Sequence, residues 1–369
     1  MTGDWIAPDQ IFDGRNLLSG KAVRVTSGQI VEIDDTPSGA IKISGLMSPG
    51  YVDLQVNGGG GLMVNSSPTP AGIRCIAAAH RRFGTVALMP TVITDHPDVL
   101  DSAVDAIISL RESQGILGLH IEGPHISEAQ CGTHSCEFIR PMDTRTFQAI
   151  ARLRSADQAV LITVAPEAIT LDQIATLTIM GAVVSLGHTD ADTDQINAAI
   201  KAGASCGTHL FNAMSPMRGR APGAVGAIIN SLCYAGIICD GHHVADEMVG
   251  MTVRARPSRD LMFLVSDAMA TVGGPNQFDL YSQTIYLNHG KLINAKGGLA
   301  GAHTTQADGL RRLVNQTGTS LVDALRMTTS TPAKCIGNSL IGGLLNRRLE
   351  DVIILDPELC VGDFLDIDL

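Results

Sequence analysis

Two patterns of apolar residues divide the chain. Over residues 20–45 the apolar positions come in short pairs, Val23 with Val25 and Ile30 with Ile33, broken by Gly, Asp and Pro. That pattern predicts small antiparallel strands. From about residue 46 apolar runs of five to eight residues alternate with longer amphipathic segments. The runs are SPGYVDLQV, TVALMPT, ILGLHIEG, AVLITVAPE, AVVSLGH, ASCGTHLFN, YAGIICDG and LMFLVSDA, eight in all. Residues 71–83, 98–113 and 192–203 carry apolar positions at helical spacing between them. Nearly continuous apolar strands, each followed by a helix, imply a parallel sheet covered on both faces. Eight of them in about 220 residues imply a (β/α)8 TIM-like barrel. A doubly wound sheet would want GxGxxG after the first strand, and VNGGGGLMV does not supply it. Two further helices are expected near 304–317 and 320–336, and the tail 340–369 reads again as short strands. The two ends resemble each other, which predicts a small β-sandwich domain from residues 1–49 plus 336–369 and a barrel over 50–335.

Composition supports a large aliphatic core. Of 369 residues, 45% are hydrophobic, 17% charged and only 4% aromatic, which excludes a disordered chain. With 37 acidic against 26 basic residues the formal charge is −11, which argues against a general nucleic-acid binder but not against a small anionic ligand held by one arginine. Eight cysteines (75, 131, 136, 206, 233, 239, 335 and 360) form no CxxC pair and read as free thiols. Cys131 and Cys136 flank His134 at a spacing that fits no common structural zinc site. MTGDWIAPDQ has neither the basic nor the apolar region of a signal peptide, and no apolar run reaches membrane-spanning length, so a cytoplasmic protein is expected.

In such a barrel the chemistry sits where strands end and βα loops begin. The polar residues there are Gln55 and Asn57 on strand 1, Glu122 on strand 3, His188 on strand 5, His209 on strand 6, Asp240 on strand 7 (with His242 and His243 just beyond), and Asp267 on strand 8. One carboxylate and two imidazoles converging from neighbouring strands are the donor set of a catalytic divalent metal. A free carboxylate on strand 8 suits a proton shuttle. His120, two residues before Glu122, points to the same side one layer deeper and reads as a core or supporting group. His80, His96 and His289 read as surface groups, and His125 as a loop neighbour of the site.

The motifs SPGYVDLQVNG, GLHIEGPHIS, CGTH, VSLGHT, THLFNAM, GRAPGAVGAI, CDGHHV, LVSDAM and LAGA follow one another in family order. Together they resemble the N-acetylglucosamine-6-phosphate deacetylases of the amidohydrolase superfamily. The resemblance implies one divalent metal held by Glu122, His188 and His209: Zn2+ first, with Fe2+, Mn2+ or Co2+ fitting the same donors. The superfamily's His-x-His is here Gln55-x-Asn57, an uncharged pair that is a weak second metal site, and strand 4 has no lysine to bridge two metals. Asp267 is implied as the general base and acid, and His134 as a donor to the oxyanion. Thr133, His134, Asn212, Ala213, Leu299, Ala300 and Gly301 are implied as sugar contacts, and Arg220 and His243 as phosphate ligands, with Arg218 the fallback. The resemblance further implies a homodimer in which His243 reaches the neighbouring site. The competing readings are the galactosamine epimer as substrate, a cyclic amidase or deaminase, and a catalytically silent sugar-phosphate sensor. One departure is the stretch IGGLLNRRLEDVIIL, which lacks the family's second glycine before the final strands.

Overall fold

The computed structural model describes residues 4–294 and 297–362; the ends of the expected terminal domain, 1–3 and 363–369, lie outside them. The eight apolar runs become eight parallel strands: Tyr51–Val56, Thr85–Ile93, Gly118–Glu122, Ala159–Val164, Val183–Leu186, Cys206–Gly207, Tyr234–Ile237 and Met262–Leu264. They neighbour one another in chain order. The sheet closes on itself where Val56 bridges Ala268 in parallel and the Asp267 amide donates to the Gln55 carbonyl at 3.0 Å.

The surrounding helices follow the expected segments with ends set by their caps. The first, Pro70–Arg81, starts where Thr69 accepts from the Gly72 amide and Pro70 presets the first turn, and it buries Ile73, Ile76 and Ala79. His80 lies on that buried face, its Nε2 2.9 Å from the Gly58 carbonyl, so it is a core residue and not a surface group. Thr305 opens Gln306–Gln316 with a capping box. The expected helix 320–336 is two helices, Leu321–Thr328 and Ser330–Cys335, with Thr329 between them at φ −134° and ψ −83°. Pro332 explains the break, because its ring displaces the Thr328 carbonyl and it has no amide to donate. Among the described residues, no helix is long and apolar enough to cross a membrane.

A second, sheet-rich domain draws on both ends of the chain. Its strands are Asp4–Phe12, Leu17–Ser19, Lys21–Thr26, Gln29–Asp35, Ile41–Pro49 and, from the far end, Val352–Leu355 paired antiparallel to Ile41–Pro49. Its core includes Ile6, Ile11, Val23, Ile30 and Met47 together with Leu344 and Val352. The departing stretch turns at Asn346, whose φ is 64° and whose amide donates to the Ile30 carbonyl at 2.8 Å. Asn takes a left-handed backbone more readily than most residues, which suits it to this turn. A four-stranded antiparallel sheet that the sequence pattern did not announce lies after the eighth barrel strand: Gln277–Leu280, Gln283–Asn288, Lys291–Ile293 and Leu299–Ala302.

Candidate metal centre and substrate pocket

Glu122, His188, His209 and Asp267 meet in one pocket at the C-terminal mouth of the barrel. Three of them sit on left-handed backbone: His188 at φ 46°, His209 at 25° and Asp267 at 50°. Each ends or follows a short strand, and the turn swings its side chain over the barrel mouth instead of into the next loop. Such conformations are costly for non-glycine residues and are found where the surroundings fix them.

Three ligand atoms cluster tightly. Glu122 Oε1 lies 3.0 Å from His209 Nε2 and 3.4 Å from His188 Nε2, and the two Nε2 atoms are 3.1 Å apart. Ligands about 2.0–2.1 Å from a tetrahedral ion stand about 3.3–3.4 Å from one another, so the spacing fits a divalent metal. The proton position of His188 fits as well. His188 Nδ1 is 2.8 Å from the Gln130 carbonyl, which only accepts, so Nδ1 carries the hydrogen and Nε2 presents its lone pair. Burial pushes the Glu122 carboxyl up, yet the adjoining His188 and His209 rings, in the state where Nε2 carries a proton, hold it well below the usual carboxylate range. It is the anionic donor such a site needs.

His134 also brings a ligand atom within 4.8 Å of Glu122 and His188. Its hydrogen bonds give it another role. The Thr94 amide donates to Nδ1 at 3.4 Å, and the Thr94 hydroxyl lies 2.7 Å from the same atom. The hydrogen is therefore on Nε2, which acts as a donor. Burial, then the neighbouring His188, pushes its pKa down to about 3, so the ring is neutral at ordinary pH.

Asp267 is held by the two amides of strand 1. Gln55 Nε2 donates to its Oδ1 at 3.0 Å and Asn57 Nδ2 to the same oxygen at 2.6 Å. Gln55 Nε2 also donates to Glu122 Oε1 at 2.9 Å, so one amide spans two carboxylates that would otherwise repel. Burial, then the charge of Glu122, pushes Asp267 up to about 6. Sequence reasoning saw Gln55 and Asn57 only as a missing second metal site and missed this positioning role.

Thr133, Asn212, Ala213, Leu299, Gly301 and His243 line the same pocket. Ala300 does not. It is fully buried in the strand Leu299–Ala302, and strand alternation turns it away from its two neighbours. His243 lines this chain's pocket, where Asp240 Oδ2 lies 2.7 Å from its Nδ1. Arg220 and Arg218 sit on an exposed loop outside that lining. His125 is a structural group, bonded to the Arg140 carbonyl and the Thr146 hydroxyl. His120 is fully buried between the Thr91 and Thr163 hydroxyls.

Comparison with known proteins bears on this geometry. The sequence model of the amidohydrolase family matches residues 46–364. An N-acetylgalactosamine-6-phosphate deacetylase of Shewanella sp. (strain ANA-3) is 38% identical over 355 residues, 93% of this chain and 89% of that protein. An N-acetylglucosamine-6-phosphate deacetylase of Haemophilus influenzae is 30% identical over 319 residues, covering 84% and 82%. Among solved structures, the N-acetylglucosamine-6-phosphate deacetylase of Pasteurella multocida superposes with a TM-score of 0.90 at 31% identity, over 97% of this chain and 96% of that one. A mutant of the Mycobacterium smegmatis enzyme in complex with N-acetyl-D-glucosamine-6-phosphate also gives 0.90, at 29% identity, over 98% and 97%.

Proposed function

This chain belongs to the amidohydrolase family, and from that premise we propose that it hydrolyses N-acetylglucosamine 6-phosphate to glucosamine 6-phosphate and acetate. The observation that carries the reading is the pairing, in one pocket, of a tight Glu122–His188–His209 donor set with Asp267, a buried carboxylate that is not part of it. Glu122, His188 and His209 would hold one divalent ion, Zn2+ in the first instance. When bound, the ion supplies a Lewis acid for the substrate carbonyl and makes water ionisable near neutral pH.

The chain's own groups do the rest. With Oδ1 committed to Gln55 and Asn57, Asp267 presents Oδ2 to the attacking water and takes its proton. The neutral His134 donates from Nε2 to the oxygen of the acetyl carbonyl as negative charge grows there. Asp267 then returns its proton to the sugar nitrogen, so that an amine leaves and acetate remains. Thr133, Asn212, Ala213, Leu299 and Gly301 surround the sugar, and His243 faces its phosphate. Arg220, on the exposed loop, is the second phosphate group, and the working assembly is a homodimer. Residues 50–335 form the catalytic unit, 1–49 plus 336–369 its terminal domain. The compartment is the cytoplasm, where eight unbridged thiols persist.

The 38% identity to an N-acetylgalactosamine-6-phosphate deacetylase favours a second reading, the C4 epimer as substrate. One experiment separates the readings: acetate release from both N-acetylated 6-phosphates and from the unphosphorylated sugars, with metal and with chelator. Release from N-acetylglucosamine 6-phosphate that chelator abolishes is expected. Faster release from the galactosamine epimer would transfer the assignment, equal rates without phosphate would remove the phosphate site, and no release would leave a sensor. In the same assay Asp267→Asn is expected to keep its metal and lose about 10²–10⁴-fold in turnover.

A further inference from the structure

Strand 1 and strand 8 do not form a regular ladder where the barrel closes. The bridge of Val56 to Ala268 is above this region. Below it, strand 8 turns two main-chain groups toward strand 1, the Leu264 carbonyl and the Ser266 amide, and both are satisfied by side chains. Gln306 Nε2 donates to the Leu264 carbonyl at 3.1 Å. The Ser266 amide donates to Asp53, 3.3 Å from either carboxylate oxygen, and Oδ1 also accepts from the Gln55 amide at 3.2 Å. Asp53 is fully buried, and among the described residues it has no ion-pair partner. A buried carboxylate bonded only to neutral donors is unfavourable for stability, and a neutral residue of the same shape would spare that cost.

The position of Asp53 explains its presence. It is two residues before Gln55 on one strand, at a register irregularity, and it grips the amide immediately before Asp267. Asp267 sits on left-handed backbone at φ 50°, and its own amide is tied to the Gln55 carbonyl. Asp53 thus stands in for a missing rung of the sheet at the turn that aims Asp267. We propose that Asp53 is a positioning residue for the reaction: through the Ser266 and Gln55 amides it fixes the turn of Asp267 relative to the amides that orient Asp267. The proposal rests on the reading of Asp267 as the base.

The test is Asp53→Asn in the metal-loaded full chain, with Asp53→Ser, which leaves room for a water, as the second variant. The expected result is a kcat lowered between about ten- and a hundred-fold, KM within about threefold, one metal per chain as in the wild type, and a Tm at pH 7.5 no lower than wild type. Hydrogen exchange is expected to quicken over 264–268 and 53–57 and nowhere else. A kcat within twofold of wild type overturns the proposal. So does a loss of kcat that follows lost metal or a lowered Tm, because that is a merely structural effect. If the wild type deacetylates neither epimer, the reading of function fails by itself. Exchange at 264–268 then decides the positioning claim: unchanged protection in Asp53→Asn overturns it.

Discussion

At the scale of single residues, burial decides which charges the molecule uses and which it tolerates. Asp53 makes the point through its proton. Burial pushes its pKa from 3.8 to about 6. A carboxyl whose folded value lies above its unfolded value holds its proton more tightly when folded, so its contribution favours the folded state at low pH and is lost as pH rises from about 4 through 6. The difference is of the order of 3 kcal/mol. Wild-type protein is therefore expected to lose stability relative to Asp53→Asn between pH 4 and 7.5, as read by denaturant unfolding at each pH. A gap that does not change with pH would contradict this. Residues of this kind also mark what a sequence shows. Glu122, His188, His209 and Asp267 were legible because barrel strands end at predictable places and apolar runs make their last polar residue conspicuous. The inward turn of His243 was not legible, since it depends on a bond to Asp240 three residues back. Nor was the burial of His80, which follows from a helix face closing over Gly58.

At the scale of elements, the strands were readable wherever both faces are buried, and unreadable where they are short and half wet. Cys206–Gly207 has only two residues in ladder, yet its apolar context announced it. The strands of 277–302 have three to six residues, with exposed positions such as Gln277, Gln283 and Lys291, and nothing in their pattern separates them from loop. Close packing between barrel strands has its own sequence demand. Gly118 opens the third strand at φ 147°, and a Cβ there would stand 1.9 Å from the Ala159 carbonyl oxygen of the fourth. Gly118→Ala is expected to destabilise by about 3 kcal/mol or more, with the strand pairing forced apart. Gly219→Ala, where a Cβ meets nothing within 4 Å, is the control and is expected to stay within about 0.5 kcal/mol. Equal unfolding midpoints for the two variants would refute the packing argument.

At the scale of the whole molecule, Glu122, His188 and His209 come from strands 3, 5 and 6, and an ion held by them would tie those strands together across the barrel mouth. A ligand that binds only the folded state adds stability by mass action, about 3–4 kcal/mol at a hundred to a thousand times its Kd. Dialysis against chelator is expected to lower Tm by roughly 3–10 °C, given the usual few degrees per kcal/mol. Re-addition of Zn2+, Fe2+, Mn2+ or Co2+ in turn should restore Tm, and the ion that restores both Tm and turnover is the working one. In Glu122→Gln the chelator should shift nothing; a shift as large as in the wild type would place the ion elsewhere.

The terminal sheet has a consequence for how the chain is made. The strand Ile41–Pro49 is bordered on one side by Asp4–Phe12 and on the other by Val352–Leu355. Its first neighbour is synthesised before it and its second about 300 residues later. At 5–20 residues per second the ribosome needs roughly 15–60 s to deliver that last strand. Through that interval the nascent chain carries an open, apolar strand edge, Leu46 and Met47 included, while the barrel is still being translated. Polysomes set such edges side by side, so the shielding of that edge during translation bears on the yield of folded protein alongside the stability of the finished fold.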